Sequence, residues 1–99
     1  MKEVNYDPEV DAIAIDTKGA KVEHSETAGF DIIIDFDKDE QVVGVEVLDC
    51  SKVVGLPKKA LMAANPQNTG FTVENTEIKV TIIGKEKRIP IPSMELVTA

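Results

Sequence analysis

The sequence has few of the residues on which several classes of protein depend. It contains one cysteine, Cys50, so no disulfide can form within the chain. It contains one histidine, His24, and no tryptophan, and aromatic residues make up 4% of the chain. Stacking platforms for bases or sugars are therefore not expected. The six glycines are scattered singly, which excludes a glycine-rich phosphate loop.

Long apolar runs are missing as well. No segment approaches the roughly 20 apolar residues that span a bilayer. The first ten residues, MKEVNYDPEV, lack the apolar stretch of a secretory signal. We therefore expect a soluble cytoplasmic protein without membrane contact, and the 99 residues suit a single domain, 1–99.

Charge is distributed unevenly along the chain. Residues 1–50 hold 14 acids and 4 lysines, a balance of −10. Residues 51–99 hold 4 acids and 7 lysines or arginines, a balance of +3. The acidic half would repel phosphate, so nucleic acid is not expected as a partner. The asymmetry favours contact between the two halves of one chain or of two chains, or a basic protein partner.

Two segments, FDIIIDF and VVGVEVL, alternate with the period of a β-strand and predict a hairpin. Matching their apolar faces pairs Ile34 with Val45 and leaves a four-residue loop at 38–41, a common hairpin length. The residues expected to be buried together are Phe30, Ile32, Ile34, Phe36, Val43, Val45 and Val47.

Helical character follows the hairpin. Pro57 suits the first turn of a helix, and Pro66 limits its length, which predicts one short helix at about 57–64. Residues 65–99 return to a period of two and predict a β meander. Its inward-facing residues are expected to be Phe71, Val73, Ile78, Val80 and Ile82. Its last strand is expected at a sheet edge because Pro90 cannot donate a ladder hydrogen bond. The fold class is α+β, with a mainly antiparallel sheet of about six or seven strands.

The segment DFDKDEQVVGVE, residues 35–46, places acids at the spacing of a calcium-binding EF-hand loop. Its sixth position requires glycine and holds Glu40, and β-branched strands flank it instead of helices. The EF-hand interpretation therefore fails. A weaker hypothesis remains, in which one face of the hairpin brings together carboxylates for Ca²⁺ or Mg²⁺, namely Asp35, Asp37 and Glu46.

The same second face of the hairpin carries apolar residues among the acids. Either the short helix packs there, or another chain does, in which case the patch is a protein interface. We expect the helix to cover part of this face and a partner the rest. The candidate interface residues are Ile33, Val42, Gly44 and Leu48.

Other single residues have plain explanations. His24 lies in a polar stretch and is expected at the surface. Cys50 is expected to be a small buried residue and not a nucleophile, because nothing in the sequence places the one histidine beside it. Asp7 and Asp11 are a catalytic pair by residue type only, and their spacing equally suits a turn and a strand start. Catalysis and cofactors are not expected.

The stretches YDPEVDAIAI and DIIIDFDKDEQVVGVEVLDCSKVV resemble a widespread bacterial and archaeal domain family of unknown function, over about residues 4–54. The resemblance implies a small antiparallel α+β domain. Some members of that family are encoded beside small toxin-like proteins, which would suit an acidic neutralising chain. The matching residues are Tyr6, Asp7, Pro8, Glu9, Asp11, Asp35, Asp37, Gly44, Glu46 and Leu48.

The sequence thus favours a non-catalytic protein-interaction or oligomerisation module, with a second copy of the chain as the first expected partner. An antitoxin-like neutraliser of a small basic protein is the second hypothesis, and a weak divalent-cation-binding domain is the third.

Overall fold

The structure, a computed structural model, describes residues 1–92 and consists mostly of antiparallel strands. The α+β class is confirmed, although the strands form two sheets, of five and three strands, where one sheet was predicted. The end of the predicted domain, residues 93–99, lies outside the described residues. The elements are β1 (Lys2–Asp7), β2 (Ala12–Thr17), β3 (His24–Thr27), β4 (Ile32–Phe36), β5 (Val42–Val47), α1 (Cys50–Val54), α2 (Lys58–Leu61), β6 (Thr69–Glu74), β7 (Glu77–Ile82) and β8 (Lys85–Pro90).

The predicted hairpin is formed by β4 and β5. Ile32 lies opposite Val47 and Ile34 opposite Val45, as the matched alternation predicts. The register then shifts between Asp35 and Phe36. Phe36 therefore lies opposite Val42 and not opposite Val43, since the β5 strand carries one extra residue at this bulge.

The prediction that Phe30 is buried is wrong. Its side chain is fully exposed, at 103% of the reference area. The preceding residue, Gly29, has a φ of 80°, which turns the chain before β4 begins. Strand alternation therefore starts at Ile32, and Phe30 belongs to the β3–β4 connection.

The five-stranded sheet runs in the order β1-β2-β5-β4-β3, and each strand is antiparallel to its neighbours. Its strands alternate between a buried and a more exposed side, as in β4, where Ile32, Ile34 and Phe36 are buried and Ile33 and Asp35 are not. The buried side of this sheet faces the core of the protein.

The three-stranded sheet is the predicted C-terminal meander, in the order β6-β7-β8. Ile78, Val80 and Ile82 are buried in β7, as predicted. Val73 was expected to face inward, but it is 48% exposed in the edge strand β6. Pro90 ends β8, the other edge strand, where its missing N–H costs no ladder hydrogen bond.

Two short helices replace the single one predicted at 57–64. The first, α1, follows β5 after two residues and ends at Val54. The next residue, Gly55, reverses the chain with a φ of 71°. The second, α2, begins after Pro57 and ends at Leu61, because the prolines at 57 and 66 confine it as the sequence implies. Each helix contributes buried residues to the core, among them Val54 and Leu61.

One hydrophobic cluster joins the two sheets and both helices. It contains β-branched residues from the buried side of the larger sheet, such as Ile13 and Ile15, together with Phe71 and Ile89 of the smaller one. The strand β6 approaches β1 and β2, and α1 approaches β8. Both helices and the meander thus pack on one side of the five-stranded sheet, which leaves its other side without a cover from residues 1–92.

No helix in the described part of the chain is both long enough and apolar enough to cross a membrane.

Candidate functional site

The side of the five-stranded sheet turned away from the core is here called the outer face. Its residues are the alternate members of each strand that do not join the hydrophobic cluster. Cross-strand partners point to the same side, so the pairing arranges the outer face in rows. One row holds Glu3, Asp16, Gly44, Asp35 and Ser25, and the next holds Asn5, Ala14, Glu46, Ile33 and Thr27.

The first of these rows, here called the acidic row, is centred on Gly44. A Cβ added to Gly44 would lie 2.8 Å from Oδ1 of Asp16 and 2.8 Å from Oδ2 of Asp35. The two carboxylates therefore lean over the glycine from the strands on either side, into space that any other side chain would fill. Gly44 is needed here for this close approach and not for a turn.

The two aspartates of the acidic row differ in their hydrogen bonds. Asp35 accepts a bond of 2.6 Å from the hydroxyl of Ser25. Partial burial raises the pKa of Asp16, and the nearby charges of Asp35 and Glu3 raise it further. Within residues 1–92, no lysine or arginine nitrogen lies within 4.0 Å of either carboxylate. The repulsion between these acids is therefore not offset by a cation of the described chain.

The second row borders a shallow hollow of about 190 Å³. Its lining includes the small residues Ala12 and Ala14 and the acids Asp7 and Glu46. The remaining lining residues are Asn5, Ile13 and the exposed Val10. Because alanine fills little volume, this hollow could admit one long side chain with an apolar stem and a charged end. The outward positions of the five strands hold no lysine or arginine.

The structure brings only part of the predicted interface together. Ile33 and Gly44 lie on the outer face as expected. Val42 does not, because the bulge in β5 turns it towards Phe36, and it packs against the core cluster. Leu48 is half-buried just beyond β5, where its N–H donates to the carbonyl of Asp31. The expectation that the helix covers part of this face is wrong, since α1 and α2 contribute to the core on the opposite side.

The predicted cation ligands are placed less favourably. Asp35 and Glu46 lie on the outer face in adjacent rows. Asp37 lies in the hairpin loop, where its Oδ1 accepts the backbone N–H groups of Asp39 and Gln41 at 2.9 and 3.0 Å. Within residues 1–92, no group of three or more His, Cys, Asp or Glu side chains is arranged to hold a metal ion. The cation hypothesis therefore rests on the sequence pattern alone.

Asp11 has a structural role at the start of α1, which its residue type alone did not indicate. It is 9% exposed, and its carboxylate accepts bonds from the Tyr6 hydroxyl at 2.7 Å, the Ser51 N–H at 3.1 Å and the Ser51 hydroxyl at 2.6 Å. Its carbonyl accepts the N–H of Cys50 at 2.8 Å. Asp11 thus satisfies the first turn of α1 from 40 residues away in the sequence.

The electrostatics of Asp11 do not suit a general acid. Burial alone would raise its pKa, but hydrogen bonds from Ser51 and Tyr6 outweigh burial and, with the charge of Lys58, lower the pKa below its usual value. Asp7, the other half of the pair considered from sequence, accepts the N–H of Glu9 and closes a turn. The two aspartates therefore serve the turn and the helix start. The sequence signal for this arrangement was Ser51, a residue type that is common at helix starts, and in the structure Ser51 is itself held by Asp11.

Cys50 and His24 take up ordinary positions. Cys50 is fully buried, as expected, and burial, with a contribution from Asp11, raises the pKa of its thiol to about 11. A thiol in this state is a poor nucleophile. His24, which was expected at the surface, keeps 37% of its side chain exposed. Its ring is stacked on Phe36 at 4.9 Å between centroids, and its Nε2 lies 3.3 Å from Oε2 of Glu26.

The fold and the outer face define a small α+β domain whose first five strands carry a largely acidic surface. Residues 3–51, which include β2 to β5 and all of β1 except Lys2, match the model of a family described as "Protein of unknown function (DUF2283)". This stretch belongs to that family, so the resemblance inferred from the sequence is confirmed. No curated protein and no solved structure matches the chain. The family supplies no function, so a proposal must come from the surface itself.

Proposed function

We propose that this chain is a non-catalytic protein-interaction module that acts in the cytoplasm and docks a basic protein partner on its outer face. The observation that supports the proposal is that this face is uncovered by residues 1–92 and combines acids with small and apolar side chains. Charge complementarity selects the partner, since the outward positions of the strands include Glu3, Asp16, Asp35 and Glu46 and no cation.

The hollow beside Glu46 suits a lysine or arginine of the partner. Such a side chain can lay its methylene stem along an apolar surface while its charged end reaches a carboxylate. Ala12 and Ala14 offer the apolar surface, and Asp7 and Glu46 offer the carboxylates. A second cation could approach Gly44, where Asp16 and Asp35 converge.

Charge and burial contribute differently to such a complex. Exposed ion pairs are worth little each, about 0–1 kcal/mol, and are screened by salt. Contact with Ile33, Ala12 and Ala14 would supply hydrophobic energy at about 25 cal/mol per Å² removed from water. The acids would mainly set the orientation and the rate of association. The partner should therefore present lysine or arginine next to apolar residues.

Self-association, the first expectation from the sequence, stays a prediction. A symmetric dimer joins the same patch on both chains. If that patch were the outer face, the acidic row of one chain would meet acids of its partner, and like charges across an interface are unfavourable. The geometry therefore favours a basic partner over a second copy on this face.

A defined probe tests the proposal without the natural partner. The probe is a synthetic peptide of alternating lysine and leucine, titrated into the labelled protein while the amide NMR signals are followed. We expect the largest shifts at outward positions such as Ala14, Gly44 and Glu46. A peptide with glutamate in place of lysine should cause none.

A matched pair of variants separates the outer face from general acidity. Ala14→Leu fills the hollow without changing charge and should weaken peptide binding. Ala63→Leu, at an exposed position after α2 and outside the outer face, should not. Shifts spread evenly over all acidic loops, or equal binding by both variants, would count against the outer face. Light scattering of the free chain gives the remaining outcome, since a dimer lost in Ile33→Lys would make the partner a second copy.

A further inference from the structure

A second cavity lies outside the outer face, where the first strand meets the meander. Its volume is about 550 Å³, within the range of about 300–1,000 Å³ typical of small-molecule sites. It is bordered by the start of β6, by two residues of β7 and by the chain that precedes β6. The lining residues are Lys2, Pro66, Gln67, Asn68, Thr69, Gly70, Phe71, Thr72, Lys79, Thr81 and Gly84.

The charge of this lining is opposite to that of the protein. The chain carries 18 acids against 11 lysines and arginines, yet the cavity is lined by Lys2 and Lys79 and by no aspartate or glutamate. Three threonines and the amides of Gln67 and Asn68 complete the polar part of the wall. Thr69 donates its hydroxyl to Oδ1 of Asn68, Thr72 donates to Oε2 of Glu74, and the amide of Asn68 donates to the carbonyl of Ala63. The lining therefore offers an anion positive charge first, and these donors only where the ligand replaces the existing bonds.

The ammonium of Lys2 is held at the cavity by contacts that leave part of it available. Its Nζ lies 4.0 Å from the centroid of the Phe71 ring and 3.3 Å from Oγ1 of Thr17, to which it donates. A lysine ammonium has three N–H donors, so further donors remain for a ligand. The contact with the ring also fixes the side chain, which lowers the entropy lost on binding.

The floor of the cavity is open because of Gly70. No atom lies within 4 Å of the position that a Cβ on Gly70 would occupy. Gly70 pairs with Thr81, and Thr72 pairs with Lys79, so these four residues share the outward side of the meander. Lys79 also lies 3.7 Å from a carboxylate oxygen of Glu74, a loose contact that a ligand could replace.

From this arrangement we propose that the cavity binds a small phosphate-bearing metabolite, with its phosphate between Lys2 and Lys79. A phosphate has several acceptor oxygens and so can use two ammonium groups and neighbouring hydroxyls together. The face of the Phe71 ring is already occupied by the Lys2 ammonium. The ligand therefore does not need an aromatic base to stack on this ring. This site is separate from the outer face and does not depend on the proposed partner.

The test is an NMR titration with three probes: ribose 5-phosphate, inorganic phosphate and ribose. We expect ribose 5-phosphate to shift the amide signals of Gly70, Thr72 and Thr81. Inorganic phosphate should shift the same signals at higher concentration, and ribose should shift none. Equal shifts with ribose, or phosphate shifts spread over every exposed lysine, would overturn the proposal.

Charge variants locate the site. Lys79→Met should weaken binding of ribose 5-phosphate about tenfold, the size of one hydrogen bond to a charged group. Lys38→Met, in the acidic hairpin loop, removes the same charge elsewhere and should leave binding unchanged. Lys2→Met should act like Lys79→Met, and if it unfolds the protein because the contact with Phe71 is lost, Lys79→Met and Thr72→Val carry the test. Equal affinity of Lys79→Met and Lys38→Met would overturn the assignment.

Discussion

The two faces of the five-stranded sheet are built from the same strands but differ in composition and burial. On the core face, Ile13, Ile15 and Ile34 are completely buried. On the outer face, the neighbouring positions hold Ala14, Asp16 and Asp35, which keep part of their surface. Because side chains alternate strictly along a strand, each face can be altered with little direct effect on the other.

Folding stability explains the residues of the core face but not those of the outer face. Core-face residues remove apolar area from water, which is the main favourable term in folding. The acidic row makes no such stabilising contribution, because the charges of Asp35 and Glu3 repel that of Asp16. Within residues 1–92, no lysine or arginine nitrogen lies within 4.0 Å of Asp16 or Asp35 to offset this repulsion. Packing accounts for the first face, and recognition of a partner is our account of the second.

The largest expected difference between the faces comes from two isoleucines that are adjacent in β4. Ile34→Ala removes a completely buried side chain from the core and should cost about 2–5 kcal/mol of unfolding free energy. Ile33→Ala, on the outer face, should cost less than about 1 kcal/mol. Denaturant unfolding of both variants measures the difference, and equal losses would mean that something covers the outer face as well.

A second difference concerns Asp11, whose carboxylate accepts three hydrogen bonds, whereas Asp35 of the acidic row accepts one from Ser25. Asp11→Ala would leave the hydroxyl of Tyr6 and both donors of Ser51 without their partner, and should cost about 1–3 kcal/mol. Tyr6→Phe removes one of these bonds and should cost about 1 kcal/mol. A smaller loss for Asp11→Ala than for Tyr6→Phe would show that Asp11 does not hold the start of α1.

The two kinds of carboxylate should also respond to pH with opposite signs. The pKa of Asp11 is lowered by folding, so its contribution is present above the ordinary value of 3.8 and is lost as pH falls through the folded pKa. The pKa of Asp16 is raised, so its unfavourable contribution grows as pH rises from 3.8 through the folded pKa. The stability difference between Asp16→Asn and the natural chain should therefore vanish near pH 3.8 and reach its maximum near neutrality.

The smallest expected effect is the difference in unfolding free energy between Asp16→Asn and the natural chain at neutral pH. Asp16→Asn removes like-charge repulsion across the acidic row and should stabilise the protein by about 0.2–1 kcal/mol. Salt should reduce the gain, because it screens the repulsion. Asp39→Asn in the hairpin loop is the control and should change stability less. A destabilised Asp16→Asn protein at low salt would contradict the proposed repulsion.

The alternation of apolar and polar residues along the strands predicted most of the fold correctly. It gave the pairing of Ile34 with Val45 and the buried set in β7, because a one-residue slip would reverse every side chain. It failed where local backbone geometry decides. The bulge at Val43 moved Val42 from the outer face to the core face. The turn at Gly29 left Phe30 outside β4, where alternation does not apply.

The candidate site was predicted in part for related reasons. The hairpin register placed Asp35 opposite Gly44, and the structure confirms it. The approach of Asp16 to the same glycine was missed, since it requires the pairing of β2 with β5, which a hairpin pattern does not encode. The bonds between Asp11 and Ser51 were missed for the same reason, because they join positions 40 residues apart.

The most direct test of the outer face as a docking surface is one measurement on two double variants. The affinity of the lysine–leucine peptide is compared for Asp16→Asn/Asp35→Asn and for Asp39→Asn/Glu40→Gln, which remove the same charge from the outer face and from the hairpin loop. Our account predicts that the first pair weakens binding about tenfold or more, the equivalent of 1.4 kcal/mol, while the second leaves it nearly unchanged. Equal weakening by the two pairs, or none by the first, would contradict the account.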